Sequence, residues 1–263
     1  MGLLTHIRLP APIADVAYRA YERRLLNGVR GDPVPGHVGV IMDGNRRLAK
    51  TLGMTPWDGH ELGSKTVESL VDWSRDVGVR TLTLYAFSTE NFDRVADEVD
   101  ALMGMFATKL TQLATDRRIL DNRVRVRVLG RTEMLPERVR TAIETAESAT
   151  GSFDDYHLNF CIAYGGRQEI IDAVRCLIDK VSAGTLDADD IDEKMLGEHL
   201  YTAGDDPDLI IRTGGESRLS NFLLYQAAYS ELFFTDVFFP AFRRVDFLRV
   251  IRAYQQRARR FGR

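Results

Sequence analysis

Short apolar runs at residues 38–42, 81–87, 124–129, 157–163 and 208–212 alternate along the chain with segments of helical periodicity at 62–77, 99–120, 136–149 and 168–181. Parallel strands need long crossover connections, usually helices. The alternation therefore predicts a single α/β domain with a mainly parallel central sheet of about six strands flanked by helices. A last apolar stretch at 232–239 and a helix over about 246–259 complete the chain. Its 263 residues, 44% of them hydrophobic, suffice for one large core, and no composition break, repeat or low-complexity tract divides them.

Parallel strands buried on both faces read as continuous Val and Ile, and ligands of open α/β sheets collect at the carboxyl ends of such strands. Three of the runs end in polar clusters. Asp43-Gly44-Asn45-Arg46-Arg47 follows Val38-Gly39-Val40-Ile41-Met42, and Ser88-Thr89-Glu90-Asn91-Phe92-Asp93-Arg94 follows the second run. Arg212-Thr213-Gly214-Gly215-Glu216-Ser217-Arg218-Leu219-Ser220 follows Asp208-Leu209-Ile210-Ile211. Asp43 suits a divalent cation, and the amides around Gly44 with Arg46 and Arg47 suit phosphate. In the third cluster the paired glycines let backbone amides turn toward an anion, with Arg212, Arg218 and Ser220 as donors. Taken singly, each cluster also reads as a solvated turn or a charged loop. Three of them at strand ends on one rim read as an anion site.

Of 35 basic residues only Lys50, Lys65, Lys109, Lys180 and Lys194 are lysines, and the guanidinium forks of the rest suit bidentate phosphate binding. A net charge of -3 argues against a nucleic-acid partner. Cys161 and Cys176 have no metal-ligand spacing and no secretory signal before them, so buried thiols in a reducing cytoplasm are expected. No window approaches the ~18 apolar residues of a membrane-spanning helix. The segment 13–26 places Ile13, Val16, Ala17, Ala20, Tyr21 and Leu25 on one helical face, with Asp15, Arg19, Glu22 and Arg23 largely opposite. Such a helix packs on its own domain or docks on a membrane surface, and packing is the expectation here.

From Pro35-Gly36-His37-Val38 through Asp43-Gly44-Asn45-Arg46-Arg47, Gly59-His60, Leu82-Thr83-Leu84-Tyr85-Ala86-Phe87-Ser88-Thr89-Glu90-Asn91 and residues 211–220, the motifs resemble, in order, the cis-prenyltransferase family. Its best-known members are undecaprenyl diphosphate synthases. The likeness continues through Asn221-Phe222-Leu223-Leu224 and Ala228-Tyr229-Ser230-Glu231-Leu232 to Phe238-Phe239-Pro240. It implies that family's fold, not a standard dinucleotide-binding one, with residues 1–30 as an amphipathic helical extension and 31–263 as the catalytic domain. The implied reaction condenses isopentenyl diphosphate with geranyl, farnesyl or geranylgeranyl diphosphate, loses a proton and releases diphosphate, giving a Z-configured polyprenyl diphosphate. The implied cofactor is Mg²⁺ and the implied assembly a homodimer, cytoplasmic or peripheral on the inner face of the cell membrane. The aromatic stretch 233–239 is expected to be exposed and to support the dimer.

By the same resemblance, Asp43 holds Mg²⁺ on the diphosphate. Gly44, Asn45, Arg46, Arg47 and Leu48 form the allylic-diphosphate loop, with His60 beside it. Ser88, Thr89, Glu90, Asn91, Phe92 and Arg94 match the second loop. There Asn91 acts by orienting isopentenyl diphosphate while a diphosphate oxygen or Asp43 takes the proton, since a carboxamide is too weak a base. Arg212, Arg218, Leu219 and Ser220 match the isopentenyl head-group set, Glu231 a second metal-linked carboxylate, and Arg260-Phe261-Gly262 a tail that reaches the partner subunit. Arg46 stands where many relatives have glycine, Leu48 where they have an aromatic residue, and Pro56 where bacterial long-chain enzymes have arginine. These departures bear on the primer. The stripe Leu102, Met103, Phe106, Leu110 and Leu113 faces the core or borders the product tunnel.

Other chemistries fit less well. Leu158 breaks the nearest approach to an Asp-rich trans-prenyltransferase motif, at Asp154-Asp155-Tyr156-His157, and Asn45 stands where an Asp-nucleophile phosphatase needs a second carboxylate. A non-catalytic partner subunit would have lost Asp43 or parts of the third cluster, and all are present.

Overall fold

Strands β1 (His37–Ile41), β2 (Thr81–Ser88), β3 (Val124–Leu129), β4 (Tyr156–Tyr164), β5 (Leu209–Arg212) and β6 (Glu231–Phe234) form one sheet in the order β3-β4-β2-β1-β5-β6. Every neighbouring pair is parallel in the computed structural model, which describes residues 11–261. The predicted α/β sheet of six strands is therefore observed. The order sets β2, β1 and β5 side by side, so the three polar clusters leave adjacent strands at one end of the sheet. This is where the winding changes direction, which is where such sheets bind ligands.

The helices are α1 (Ala11–Val29), α2 (Asn45–Thr51), α3 (Pro56–Val77), α4 (Ala96–Leu113), α5 (Arg117–Leu120), α6 (Glu137–Thr150), α7 (Gly166–Ser182), α8 (Glu193–His199) and α9 (Arg244–Phe261). Val38, Val40, Leu84 and Ile211 pack in one core cluster with Leu70 of α3 and Phe247 and Ile251 of α9. Phe87 and Ile162 pack in another with Leu102, Met103 and Phe106 of α4 and Val139 of α6. The α3 helix begins before the predicted residue 62, because Thr55 caps it in a reciprocal box with Asp58 and Pro56 opens its first turn. The predicted helix over 99–120 is two helices, since the Asp116 side chain accepts a bond from Arg118 N at 2.8 Å and caps a separate turn.

Helix α1 packs on the domain, with Leu25 and Val29 buried and Gln255 Nε2 of α9 donating to Val29 O at 2.8 Å. The face differs from the predicted one, because Val16, Ala20 and Tyr21 are exposed while Tyr18 and Leu26 turn inward. The side chains of Ile13, Asp15, Ala17, Arg260 and Phe261, and all of Gly262, lie outside the described residues. Cys161 is buried, but Cys176 is exposed on α7, contrary to expectation. The stretch 233–239 is also less exposed than expected. Phe239 is buried against the core and Phe233, Phe234 and Phe238 are half-buried, while the large exposed side chains, Tyr229 and Leu232, precede the stretch. Among the described residues no helix is long and apolar enough to cross a membrane.

Candidate active site

Beyond β1 the chain turns at Gly44, whose φ of 107° favours glycine; an added Cβ there would lie 2.6 Å from Phe238 Cδ1. The turn presents the Asp43 carboxylate to Arg212 Nη2 at 2.9 Å and Arg47 Nη2 at 2.8 Å. Burial opposes ionisation of Asp43, but the hydrogen bonds and charges of the two guanidiniums outweigh it and hold its pKa below the usual carboxylate value. The first helical bond of α2 runs from Leu48 N to Gly44 O, which leaves the amides of 45–47 without a helical acceptor.

Arg212 is 4% exposed, and its Nη1 donates to Ser220 Oγ at 2.7 Å and to Arg218 O. It is an internal strut between the first and third clusters. Arg218 is exposed and pairs with Glu216 at 2.7 Å. The expectation that the paired glycines turn amides toward an anion fails, because Gly214 N donates to Val237 O at 2.8 Å and Gly215 N to Thr235 O at 2.9 Å. Glycine serves close approach instead, since a Cβ on Gly214 would stand 2.7 Å from Arg47 Nη2.

In the second cluster Ser88 N donates to Asn91 Oδ1 at 3.1 Å, so the Asn91 carbonyl is occupied and its amide nitrogen is the group left to act as a donor. Glu90 accepts from Asn221 Nδ2 at 3.0 Å, and Asn221 in turn accepts from the amides of Gly166 and Arg167. Ser220, Asn221 and Leu223 have φ of 47°, 65° and 42°, a run of left-handed residues that marks strain held by this network. Thr89 Oγ1 lies against Gly165, and Leu219 packs beside the Ile41 and Phe222 cluster. Phe92 does not face the anion side; its ring packs edge-on to Phe87 with centroids 4.9 Å apart.

Glu98, absent from the sequence prediction, gathers the remaining cations, with Arg94 at 3.1 Å and Arg46 at 3.6 Å. The Arg94–Glu98 spacing at a helix start was its available signal. Burial and, next, the Arg94 charge lower the pKa of His60, against the opposing pull of Glu98, so its ring is neutral near pH 7. Its Nε2 is buried without a hydrogen-bond partner, as is Asn45 Oδ1.

Those two residues, with Met42, line both of two cavities. One is a polar cleft of about 820 Å³ carrying Asp43, Arg46, Arg47, Arg94 and the unforeseen Lys50. The other is an apolar cavity of about 170 Å³ between α3 and α4, walled by Val67, Ala86, Leu102, Phe106, Ile162 and Phe239. Of the predicted stripe, Leu110 and Leu113 also line it, whereas Met103 is buried in the core alongside. Pro56 lines the polar cleft and Leu48 does not. Glu231 stands apart from these groups within the chain. It pairs with Leu209 in register while Phe234 pairs with Arg212, so it stands three residues, about 10 Å of strand, from the Arg212 end and meets Arg257 at 3.5 Å. Within one chain it does not share an ion with Asp43. Among the described residues no group of three or more His, Cys, Asp or Glu could hold a metal.

A family model described as "Prenyltransf: Putative undecaprenyl diphosphate synthase" matches residues 41–262. The chain is 53% identical over 263 residues, all of this chain and 99% of the relative, to tritrans,polycis-undecaprenyl-diphosphate synthase (geranylgeranyl-diphosphate specific) of Pyrococcus abyssi. It is 49% identical to the protein of the same name from Methanocaldococcus jannaschii, covering 93% of this chain and 88% of that one. Among solved structures, it resembles lavandulyl diphosphate synthase from Lavandula x intermedia in complex with dimethylallyl diphosphate, with a TM-score of 0.81, 35% identity, and 84% and 95% of the two chains covered. It also resembles a probable undecaprenyl diphosphate synthase from Campylobacter jejuni, with a TM-score of 0.73, 33% identity, and 88% and 100% covered.

Proposed function

The chain belongs to the undecaprenyl diphosphate synthase family of cis-prenyltransferases and carries out cis-prenyl chain elongation, and from that premise we propose that it extends geranylgeranyl diphosphate with isopentenyl diphosphate to a long Z-configured polyprenyl diphosphate. The observation that carries this reading is the junction at Met42, Asn45 and His60, residues that line both a cationic cleft and an apolar cavity and so set the two side by side. A substrate with a diphosphate head and a hydrocarbon tail fits across that junction. The names of the two archaeal relatives support geranylgeranyl diphosphate as the primer.

In this reading the allylic diphosphate lies over Arg46, Arg47, Lys50 and the amides of 45–47, while His60, whose Nε2 stands 3.7 Å from Glu98 Oε1, sits at the head of the tail. Asp43, kept ionised by its arginines, would hold Mg²⁺ together with diphosphate oxygens, as one carboxylate plus substrate phosphates suits that ion. Bound there, Mg²⁺ supplies stabilisation of the negative charge that develops on the departing diphosphate. Arg218 and Ser220 bind the isopentenyl head group, Arg212 holds Asp43 and Ser220 in place, and the Asn91 amide nitrogen orients the acceptor alkene. The allylic C–O bond breaks, a C–C bond forms to the terminal carbon of isopentenyl diphosphate, and a proton leaves that unit to a diphosphate oxygen or Asp43. The apolar cavity keeps water from the allylic cation.

The test is incubation with isopentenyl diphosphate, Mg²⁺ and geranyl, farnesyl or geranylgeranyl diphosphate, with products resolved by length. Geranylgeranyl diphosphate is expected to give the highest initial rate. A homodimer is part of the proposal, supported by the exposed apolar stripe Ile171, Val174 and Ile178 on α7 and by Tyr229 and Leu232 at the sheet edge. So is peripheral membrane contact through the exposed Val16 and Tyr21 side of α1; co-sedimentation with anionic vesicles would show it, and absence of binding would remove it.

A further inference from the structure

Exposed arginines gather on two packed helices, Arg19, Arg23 and Arg24 on α1 and Arg249, Arg252 and Arg257 on α9. Among the described side chains of these helices the acids are Glu22 and Asp246, both partly buried and paired with Arg244 and Arg243. On a chain of net charge -3 this is a marked separation of charge. Between the helices runs a polar groove of about 450 Å³, lined by Tyr21, Arg24 and Gly28 of α1, Arg252 and Gln256 of α9, and Asp32. Gln255, a buried residue of the same lining, ties the helices together by donating Nε2 to Val29 O at 2.8 Å and to Asp32 O at 3.1 Å. An added Cβ at Gly28 would meet no atom within 4 Å, so the groove is open there. Arg24 and Arg252 come from opposite helices, and among the described residues neither has an ion-pair partner. They outnumber the one carboxylate of the lining, Asp32. Arg249 stacks over the Tyr21 ring at 5.3 Å and donates Nε to its hydroxyl at 3.3 Å, which holds that ring beside them.

We propose that this groove binds the phosphate headgroup of an anionic lipid, clamped by Arg24 and Arg252. The inference rests on the peripheral membrane contact of the proposed function and names the lipid that this contact recognises. Two guanidiniums lining one polar groove suit a phosphate, since each offers a fork of N–H donors. The surface beside the clamp selects a lipid over a dissolved phosphate. Val16, Ala20, Tyr21 and Arg24 follow at i, i+4, i+5 and i+8, so they share one face of α1. Val16 is 68% exposed and Tyr21 42%. A dissolved phosphate buries neither side chain. A bilayer surface buries both while its phosphates meet the arginines, which is how an interfacial helix binds. Each arginine near a negatively charged leaflet adds to the attraction, and salt weakens it. A nucleic acid would also meet the charge, but it gains nothing from the exposed Val16. The long apolar tail of the product gives the site its use, because a protein docked in this way releases its amphiphile beside the lipid phase that receives it.

The test is flotation of the full chain with vesicles of phosphatidylcholine alone and of phosphatidylcholine with phosphatidylglycerol. An Arg24→Gln, Arg252→Gln double variant and an Arg117→Gln, Arg123→Gln double variant are run alongside. The second pair removes two exposed arginines near β3, an edge strand, and so matches the change in charge. Binding to the phosphatidylglycerol vesicles and not to phosphatidylcholine alone is expected, weakened about tenfold or more in the groove variant and less than about twofold in the control. All three proteins are expected to elongate geranylgeranyl diphosphate in vesicle-free solution at rates within about twofold of one another, which separates lost binding from lost folding. Equal affinity of the groove and control variants for the anionic vesicles overturns the clamp and leaves the membrane contact standing. Equal binding of the unsubstituted chain to both kinds of vesicle overturns the clamp too. So does release from the vesicles by millimolar inorganic phosphate at fixed ionic strength, which makes the ligand a dissolved anion, and so does tighter capture by single-stranded RNA than by anionic vesicles. Absence of binding to either vesicle removes the membrane contact and the clamp together and leaves the elongation reading untouched.

Discussion

Arg212 and Arg218 lie in one loop and face different surroundings. The Arg212 guanidinium is buried and shared among Asp43, Ser220 and the Arg218 carbonyl, while the Arg218 head is exposed beside Glu216. The proposed roles separate in kinetics. Asp43→Ala is expected to lower kcat by about 100-fold or more, through loss of charge stabilisation at the departing diphosphate. Arg218→Ala is expected to act on the KM for isopentenyl diphosphate, raising it about tenfold with a smaller change in kcat. Steady-state assays varying isopentenyl diphosphate measure both, and equal, small effects from the two changes would refute the assignment. At this scale residue identities were legible from the sequence and hydrogen-bond partners were not. Gly214 and Gly215 look like an anion-binding pair until Val237 O and Thr235 O are seen to take their amides.

Helix α7 anchors the loops around the site through one buried carboxylate. Glu169 accepts from Tyr201 N at 2.8 Å, Gln226 Nε2 at 3.0 Å and Tyr164 Oη, and Tyr164 Oη also receives Leu223 N at 3.2 Å. The segment 220–223, with Ser220, Asn221 and Leu223 in the left-handed region, is thereby pinned to β4. Glu169→Ala leaves buried donors without acceptors, so a loss of about 3 kcal/mol is expected, or roughly 6–12 °C in Tm; calorimetry showing a change below about 2 °C would contradict this role. Strands and long helices were readable because their periodicity is local. The start of α3 was missed, with residue 62 taken as its beginning, although Thr55-Pro56 with Asp58 is a capping box. Helix α2 was missed as well, because Asn45, Arg46 and Arg47 have the composition of a polar loop and the helix is held in place from outside, with Asn45 packed against Gly59 and Gly63 of α3.

The adjacency of cleft and tunnel belongs to the whole molecule. The sequence placed three clusters at strand ends, but only the order β2-β1-β5 makes them neighbours, and no local pattern encodes strand order. Glu231 shows the same limit, since its motif is clear while its position at the far end of β5 and β6 follows from register alone. Assembly is a further property at this scale. Light scattering is expected to give twice the 29.7 kDa chain mass, and a monomer at assay concentration would remove the homodimer. The proposed function rests on a cationic cleft and an apolar cavity that share Met42, Asn45 and His60 in their linings. Its most direct test is product analysis with isopentenyl diphosphate and each of three primers, with Mg²⁺ and with chelator. Long Z-prenyl products formed fastest from geranylgeranyl diphosphate and lost on chelation are predicted; no elongation from any primer, or elongation undiminished by chelator, would contradict it.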